Sequence, residues 1–91
     1  LTFHIPGPLR AFTGGHAQLQ VDASPATLRA ALELLWAAYP GLRDRVLTEE
    51  GQIRKRINVF VGNESVRLTG GLATPIARAT EISIIPAISG G

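Results

Sequence analysis

The chain of 91 residues contains no cysteine and no methionine, only two histidines, and a single lysine among nine basic residues. Without cysteine there is no disulfide staple, no Cys-ligated zinc, no thiol nucleophile and no thiol that could carry sulfur. With only His4 and His16, imidazole bases and metal ligands are scarce. Neither has a carboxylate or third ligand at metal-binding spacing, so both read as surface or edge residues. No Gly-x-Ser-x-Gly elbow and no Gly-x-x-x-x-Gly-Lys phosphate loop occurs. Charge of one sign is lacking too. Nine Lys+Arg against seven Asp+Glu leave a net charge of +2, well short of the field of a typical nucleic-acid binder. No apolar run approaches the roughly 18 residues of a membrane span, and Leu1–Ile5 is broken by Thr2 and His4 and stopped by Pro6. A soluble, cytoplasmic protein without nucleic-acid or membrane partners is expected. Numbering from Leu1 leaves room for an initiator or short leader before it.

What is present is one domain's worth of chain, 45% hydrophobic, with a modest core and little room for a deep cavity. Leu1–Ile5 and Ala17–Val21 alternate with period two and predict two strands joined as a hairpin by a long loop, with a turn at Phe12–His16. Ser24 as N-cap and Pro25 at the first helical position predict a helix entry. Leu28, Ala31, Leu32, Leu35 and Tyr39 then recur on one face, opposite Arg29 and Glu33, until Pro40-Gly41 stops the helix. Trp36 belongs at the edge of that face. One short helical turn is expected within Leu42–Leu47. Ile57–Val61 is a strongly β-patterned run, Gly62-Asn63 suits a tight hairpin turn with glycine first, and Val66–Leu68 predicts the short return strand. A loop over Gly70–Pro75, with room for one helical turn after it, leads to the last strand, Glu81–Ile85, ended by Pro86.

The order ββ-α-ββ-β leaves one amphipathic helix to bury its face on one mixed sheet. With the last strand parallel to the first, the expected class is α+β: a β-grasp, a mixed four- to five-stranded sheet packed on one main helix. The domain spans 1–86, followed by a flexible tail, 87–91.

That tail ends in Gly90-Gly91. At average glycine usage two terminal glycines occur in roughly 0.5% of chains, and glycine pairs also stand at 14–15 and 70–71, where loops are expected. Context gives the terminal pair its meaning. It follows a strand directly, with Pro86 as a stiff exit. A slim end without side chains can thread a narrow enzyme channel because glycine has no Cβ to clash. The group delivered there is a carboxylate. Once adenylated with ATP it is an electrophile. A sulfur nucleophile would turn it into a thiocarboxylate, and a lysine amine into an isopeptide.

Residues 57–61, 66–76 and 82–91 resemble the sulfur-carrier proteins of the β-grasp, ubiquitin-like superfamily, which include the small subunit of molybdopterin synthase and the thiamine sulfur carrier. Ile5-Pro6, Leu9-Arg10 and Phe12–Gly15 are similar to the amino end of longer members, among them the carrier of mycobacterial cysteine biosynthesis. The resemblance implies that Gly91 carries sulfur as a thiocarboxylate, with Gly90 and the tail residues Ala87, Ile88 and Ser89 as the threaded recognition element. It implies no catalysis by the chain itself and no bound cofactor. ATP belongs to an E1-like adenylating enzyme, and a sulfur-accepting biosynthetic enzyme is the second partner. The free protein is expected to be monomeric. Cysteine biosynthesis is favoured over molybdopterin or other thiolation. The alternative is a ubiquitin-like modifier joined through Gly91 to target lysines. Two departures bear on partner identity: the acidic turn that relatives often carry before the last strand reads Ala77–Glu81 here, and the hairpin reads Gly62-Asn63 where Asn-Gly is common.

Two further surfaces stand out. With Val59, Val61, Ile82 and Ile84 turned inward, period two turns Asn58, Phe60, Ser83 and Ile85 outward. Phe60 and Ile85 would then form an exposed apolar docking patch near the tail. Arg54-Lys55-Arg56 is the one dense basic run. Its simplest reading is a solvated loop; the functional one is contact with an acidic partner or a phosphate. Nucleic acid is disfavoured because no aromatics interleave the run. Glu49-Glu50 reads as a solvated loop.

Overall fold

In the computed structural model, which describes residues 1–77 and 80–86, the last strand lies at the centre of the sheet. The strands are β1 (Thr2–His4), β2 (Gln18–Gln20), β3 (Ile57–Val61), β4 (Glu64–Ser65) and β5 (Glu81–Pro86), in the order β2-β1-β5-β3-β4. β5 runs parallel to β1, with Phe3 opposite Ile82, and antiparallel to β3, with Val59 opposite Ile84. The outer pairs, β1 with β2 and β3 with β4, are antiparallel hairpins. This is the expected β-grasp, with five strands among the described residues.

Helix α1 (Leu28–Ala38) packs across one face of the sheet. Leu28, Ala31, Leu32 and Leu35 are buried against Phe3, Val59, Ile82 and Ile84, all within a single cluster. Tyr39 and Trp36 pack at its margin, half-buried. The helix begins later than the sequence suggests. Thr27, and not Ser24, is the N-cap, its hydroxyl accepting the Ala30 amide at 3.3 Å. The reason is tertiary. Residues 26–28 pair with 74–76: Ile76 donates to the Ala26 carbonyl, Leu28 donates to that of Thr74, and Thr27 bridges Pro75. Ser24-Pro25 is thereby held outside the helix.

Pro40-Gly41 does end α1, but as the start of something else. Pro40 opens α2 (Pro40–Val46), occupying the position where its missing N–H costs nothing. A two-turn helix thus replaces the single turn expected within Leu42–Leu47. It buries Leu42 and Val46. The long connection from β1 to β2 is also ordered: a 3-10 helix over Gly7–Thr13 buries Leu9 and Thr13, and Gly14, at φ 64°, reverses the chain. The buried Thr13 hydroxyl is satisfied by the carbonyls of His16 at 2.9 Å and Arg10 at 3.2 Å.

The return strand is misplaced by the sequence reading. It is Glu64–Ser65, immediately after the Gly62-Asn63 turn, in which Gly62 takes φ 61°. Val66–Leu68 is instead a 3-10 turn, held by the Ser65 side chain on the Arg67 amide. Leaving the strand there drops Val66 into the core, 1% exposed, while turning Leu68 out. A further 3-10 turn, Gly71–Ala73, falls inside the expected loop.

Candidate functional site

The last strand ends at Pro86, paired with Ile57, the first residue of β3. β5 therefore ends at the base of β3, beside the loop that feeds it. Ala87, Ile88, Ser89, Gly90 and Gly91 lie outside the described residues, as do Arg78 and Ala79 of the stretch before β5. The site's foundation is consequently the end of β5 and what surrounds it.

Alternation along β5 is strict. Ile82 and Ile84 are 0% and 1% exposed, whereas Ile85 is 45% exposed. Across the sheet, Ile57 and Val59 are buried, and Asn58 and Phe60 point the other way, half-buried. Ser83 sits directly opposite Phe60, and Ile85 opposite Asn58. Phe60 and Ile85 are thus diagonal neighbours on the open face, at a separation an aromatic ring can span. Helix α1 packs on the other face, against Ile82 and Ile84. Thr2 and His4 of β1 and Gln18 of β2 continue this face. His4 Nε2 lies 2.5 Å from a Glu81 carboxylate oxygen, and the Gln18 amide donates to His4 Nδ1 at 3.3 Å. A carboxylate distant in sequence is therefore brought to His4 as a hydrogen-bond partner. No group of three or more potential ligands occurs among the described residues.

Sequence reasoning missed Arg67. From the 3-10 turn after β4 its guanidinium reaches the base of β3, donating to Asn58 Oδ1 at 2.9 Å and to the carbonyls of Lys55 at 2.9 Å and Ile57 at 2.8 Å. It fixes the loop beside which β5 ends. No spacing rule could have found it, because its partners, one side-chain oxygen and two backbone carbonyls, lie nine to twelve positions away. We expect Arg67→Ala to cost about 1–2 kcal/mol, since hydrogen bonds from charged donors contribute more than neutral ones but these are partly solvated. A urea midpoint lowered at unchanged m would show it. An unchanged midpoint would mean the contacts are not maintained in solution. Leu68, next to Arg67, is 86% exposed and was also unforeseen.

Residues 3–91 match the ThiS family. The chain belongs to that family. Among its ThiS-family relatives and structural neighbours, the sulfur carrier protein CysO of Mycobacterium tuberculosis is 41% identical over 93 residues, covering all of this chain and 98% of the relative. The crystal structure of that CysO superimposes with a TM-score of 0.87 over 96% of this chain and 98% of its own. CysO in the BexX/CysO complex of Amycolatopsis orientalis gives a TM-score of 0.89 at 33% identity, over 99% and 98% of the two chains. Small archaeal modifier protein 1 of Haloferax volcanii is 35% identical over 82 residues, 89% of this chain and 90% of the relative. As in the sequence reading, the family's β-grasp fold is present. Among the described residues, no helix is long and apolar enough to cross a membrane.

Proposed function

We propose that this chain is a cytoplasmic sulfur carrier whose reactive group is the carboxyl terminus of Gly91. An E1-like enzyme joins that carboxylate to the AMP part of ATP, releasing pyrophosphate. A sulfur nucleophile then attacks the acyl carbon and expels AMP, leaving the thiocarboxylate. A biosynthetic enzyme accepts the sulfur and returns the carboxylate. The chain is the substrate of these enzymes and contributes no catalytic side chain. The observation that carries the reading is the match of the whole chain, terminal Gly90-Gly91 included, to a sulfur carrier at 41% identity. Supporting it, β5 ends next to an open sheet face bearing Ile85 and Phe60, a suitable docking surface for enzymes that must take up the segment following Pro86. Cysteine assembly is the favoured destination of the sulfur, supported by the amino-end likeness over Ile5–Gly15 and by the identity with CysO.

Incubated with its cognate activating enzyme, ATP and a sulfur donor, the protein should gain the mass of one oxygen-to-sulfur exchange, localised to the carboxyl-terminal peptide. An unchanged terminal peptide in a system that thiolates a control carrier would refute the reading.

A second reading, a protein modifier, is favoured by the 35% identity with small archaeal modifier protein 1. It needs the same activation but predicts reductant-resistant, higher-mass adducts on denaturing gels of cell extract. Lys55 is the one lysine available for self-conjugation. The two roles are compatible in one chain.

A further inference from the structure

Among the described residues, which do not include Arg78, charge is distributed unevenly along β5. At its amino-terminal end stand Glu81 itself, Glu64 opposite Val61, and Asp22, which follows the Val21 amide bonded to the Leu1 carbonyl. At its carboxyl-terminal end, Pro86 faces Ile57, which directly follows Arg54-Lys55-Arg56, and Arg67 is bonded into that same loop. The Arg54 amide and guanidinium bond the carbonyls of Val46 and Asp44 at 2.9 Å each, which adjoins the last turn of α2 with Arg43 and Arg45. Within this stretch the Asp44 carboxylate is already matched by Arg43 at 3.3 Å. Glu49 and Glu50 stand beyond the Leu47–Ile53 bridge, at the tip of their own loop. Lys55 and Arg56 are exposed, and among the described residues their side chains make no hydrogen bond or ion pair. They do not hold the fold together, unlike Arg54 and Arg67.

We propose that the Arg54–Arg56 ridge is a docking surface for carboxylates on the rim of the channel that receives the tail. The proposal rests on the tail reading above and adds the chemistry of the partner's surface. Five residues follow Pro86, and fully extended they span at most about 18 Å. When they are inserted, the base of β5 stands at the channel mouth, and the ridge beside it faces the rim. A positive pole at that end, with carboxylates at the other, turns the tail toward an acidic mouth before contact and repels the opposite approach. Steering of this kind acts within about 8 Å at physiological ionic strength and weakens with added salt. Nucleic acid fits less well, because no aromatic accompanies the run and the chain's net charge is only +2.

The double variant Lys55→Glu/Arg56→Glu tests this directly. With the activating enzyme, KM for the carrier should rise at least tenfold while kcat stays within a factor of two. The wild-type KM should climb with salt, and that slope should flatten in the variant. A matched reversal at the other pole, Glu64→Lys, should leave KM within a factor of two. Independently of any enzyme, titration with a hexaglutamate peptide should shift the amide resonances of 54–57 and 67 in the wild type and not in the double variant. Unchanged KM and salt slope would overturn the proposal, as would peptide shifts scattered over the surface. Tight binding of an RNA oligonucleotide that is lost in the variant, with KM unaltered, would reassign the ridge to nucleic acid. A wild type that shows the localised titration but never gains sulfur would sink the tail reading and leave the acid-binding surface standing.

Discussion

Removal of Gly90 and Gly91 should abolish thiocarboxylate formation and leave the fold as stable as before. The shortened chain ends at Ser89, so its carboxylate falls short by two residues, roughly 7 Å in an extended segment. A displacement of only about 1 Å can cost a reaction on the order of 100-fold, because the attacking and accepting atoms no longer meet. Seven times that distance leaves no turnover to detect, and the new terminus also carries a side chain where glycine had none. Stability should change by less than about 0.5 kcal/mol. Among the described residues the fifteen buried hydrophobics all lie between Phe3 and Ile84 and form one cluster. Mass spectrometry of the terminal peptide and a urea titration together decide the matter. Retained thiolation at a new terminus would mean that sulfur does not ride on Gly91. A collapsed midpoint would mean that the tail belongs to the fold.

Two adjacent isoleucines should separate stability from partner recognition. Ile84 is 1% exposed at the centre of the sheet, packed in the cluster that includes Leu32 and Leu35 of α1. Ile84→Ala removes buried methyl groups and leaves a gap that a five-strand sheet cannot collapse around. The expected cost is about 2–5 kcal/mol. For a domain of this size that lowers Tm by roughly 10 °C or more and consumes a large share of a typical stability of about 5–10 kcal/mol. Ile85, one position on, projects from the opposite face and is 45% exposed. Ile85→Ser should move Tm by no more than about 3 °C. Its effect should appear instead in KM for the activating enzyme, up roughly 30-fold if Ile85 fills a central hot spot worth about 2 kcal/mol. Normal KM in Ile85→Ser would remove the open face from the interface. A large loss of Tm in that variant would place Ile85 in the core.

Several features were legible from local pattern. The apolar stripe Leu28–Leu35 has only one face to bury, so its helix and its packing side follow from spacing alone. The alternation in Ile57–Val61 and Glu81–Ile85 fixes which residues turn inward, because a strand cannot change face without a bulge. What was misread has a common cause. Ser24-Pro25 carries a proper local start signal, yet Thr27 caps the helix because residues 26–28 pair with 74–76. Val66–Leu68 has strand-forming residues, yet its backbone turns so that Val66 can fill the core. Pro40 ends one helix and opens the next because Leu42 and Val46 have a buried place to go. In each case a contact with a distant segment overrides a weak local preference.

Local pattern was enough for the class of fold, for the inward and outward sets of the central strands, and for the chemistry available to the protein. The chain has no thiol, which fits the proposal that the sulfur rides on the carboxyl group of Gly91. Tertiary structure alone decided what surrounds the root of that tail. Pairing β5 between β1 and β3 joins residues far apart in the chain. It sets Ile85 diagonal to Phe60, brings Glu81 to His4, and puts the Arg54–Arg56 run and the Arg67 clamp at the strand's end. Periodicity reports only the face a residue takes on its own element. Which elements lie side by side depends on how the whole chain buries its apolar faces at once.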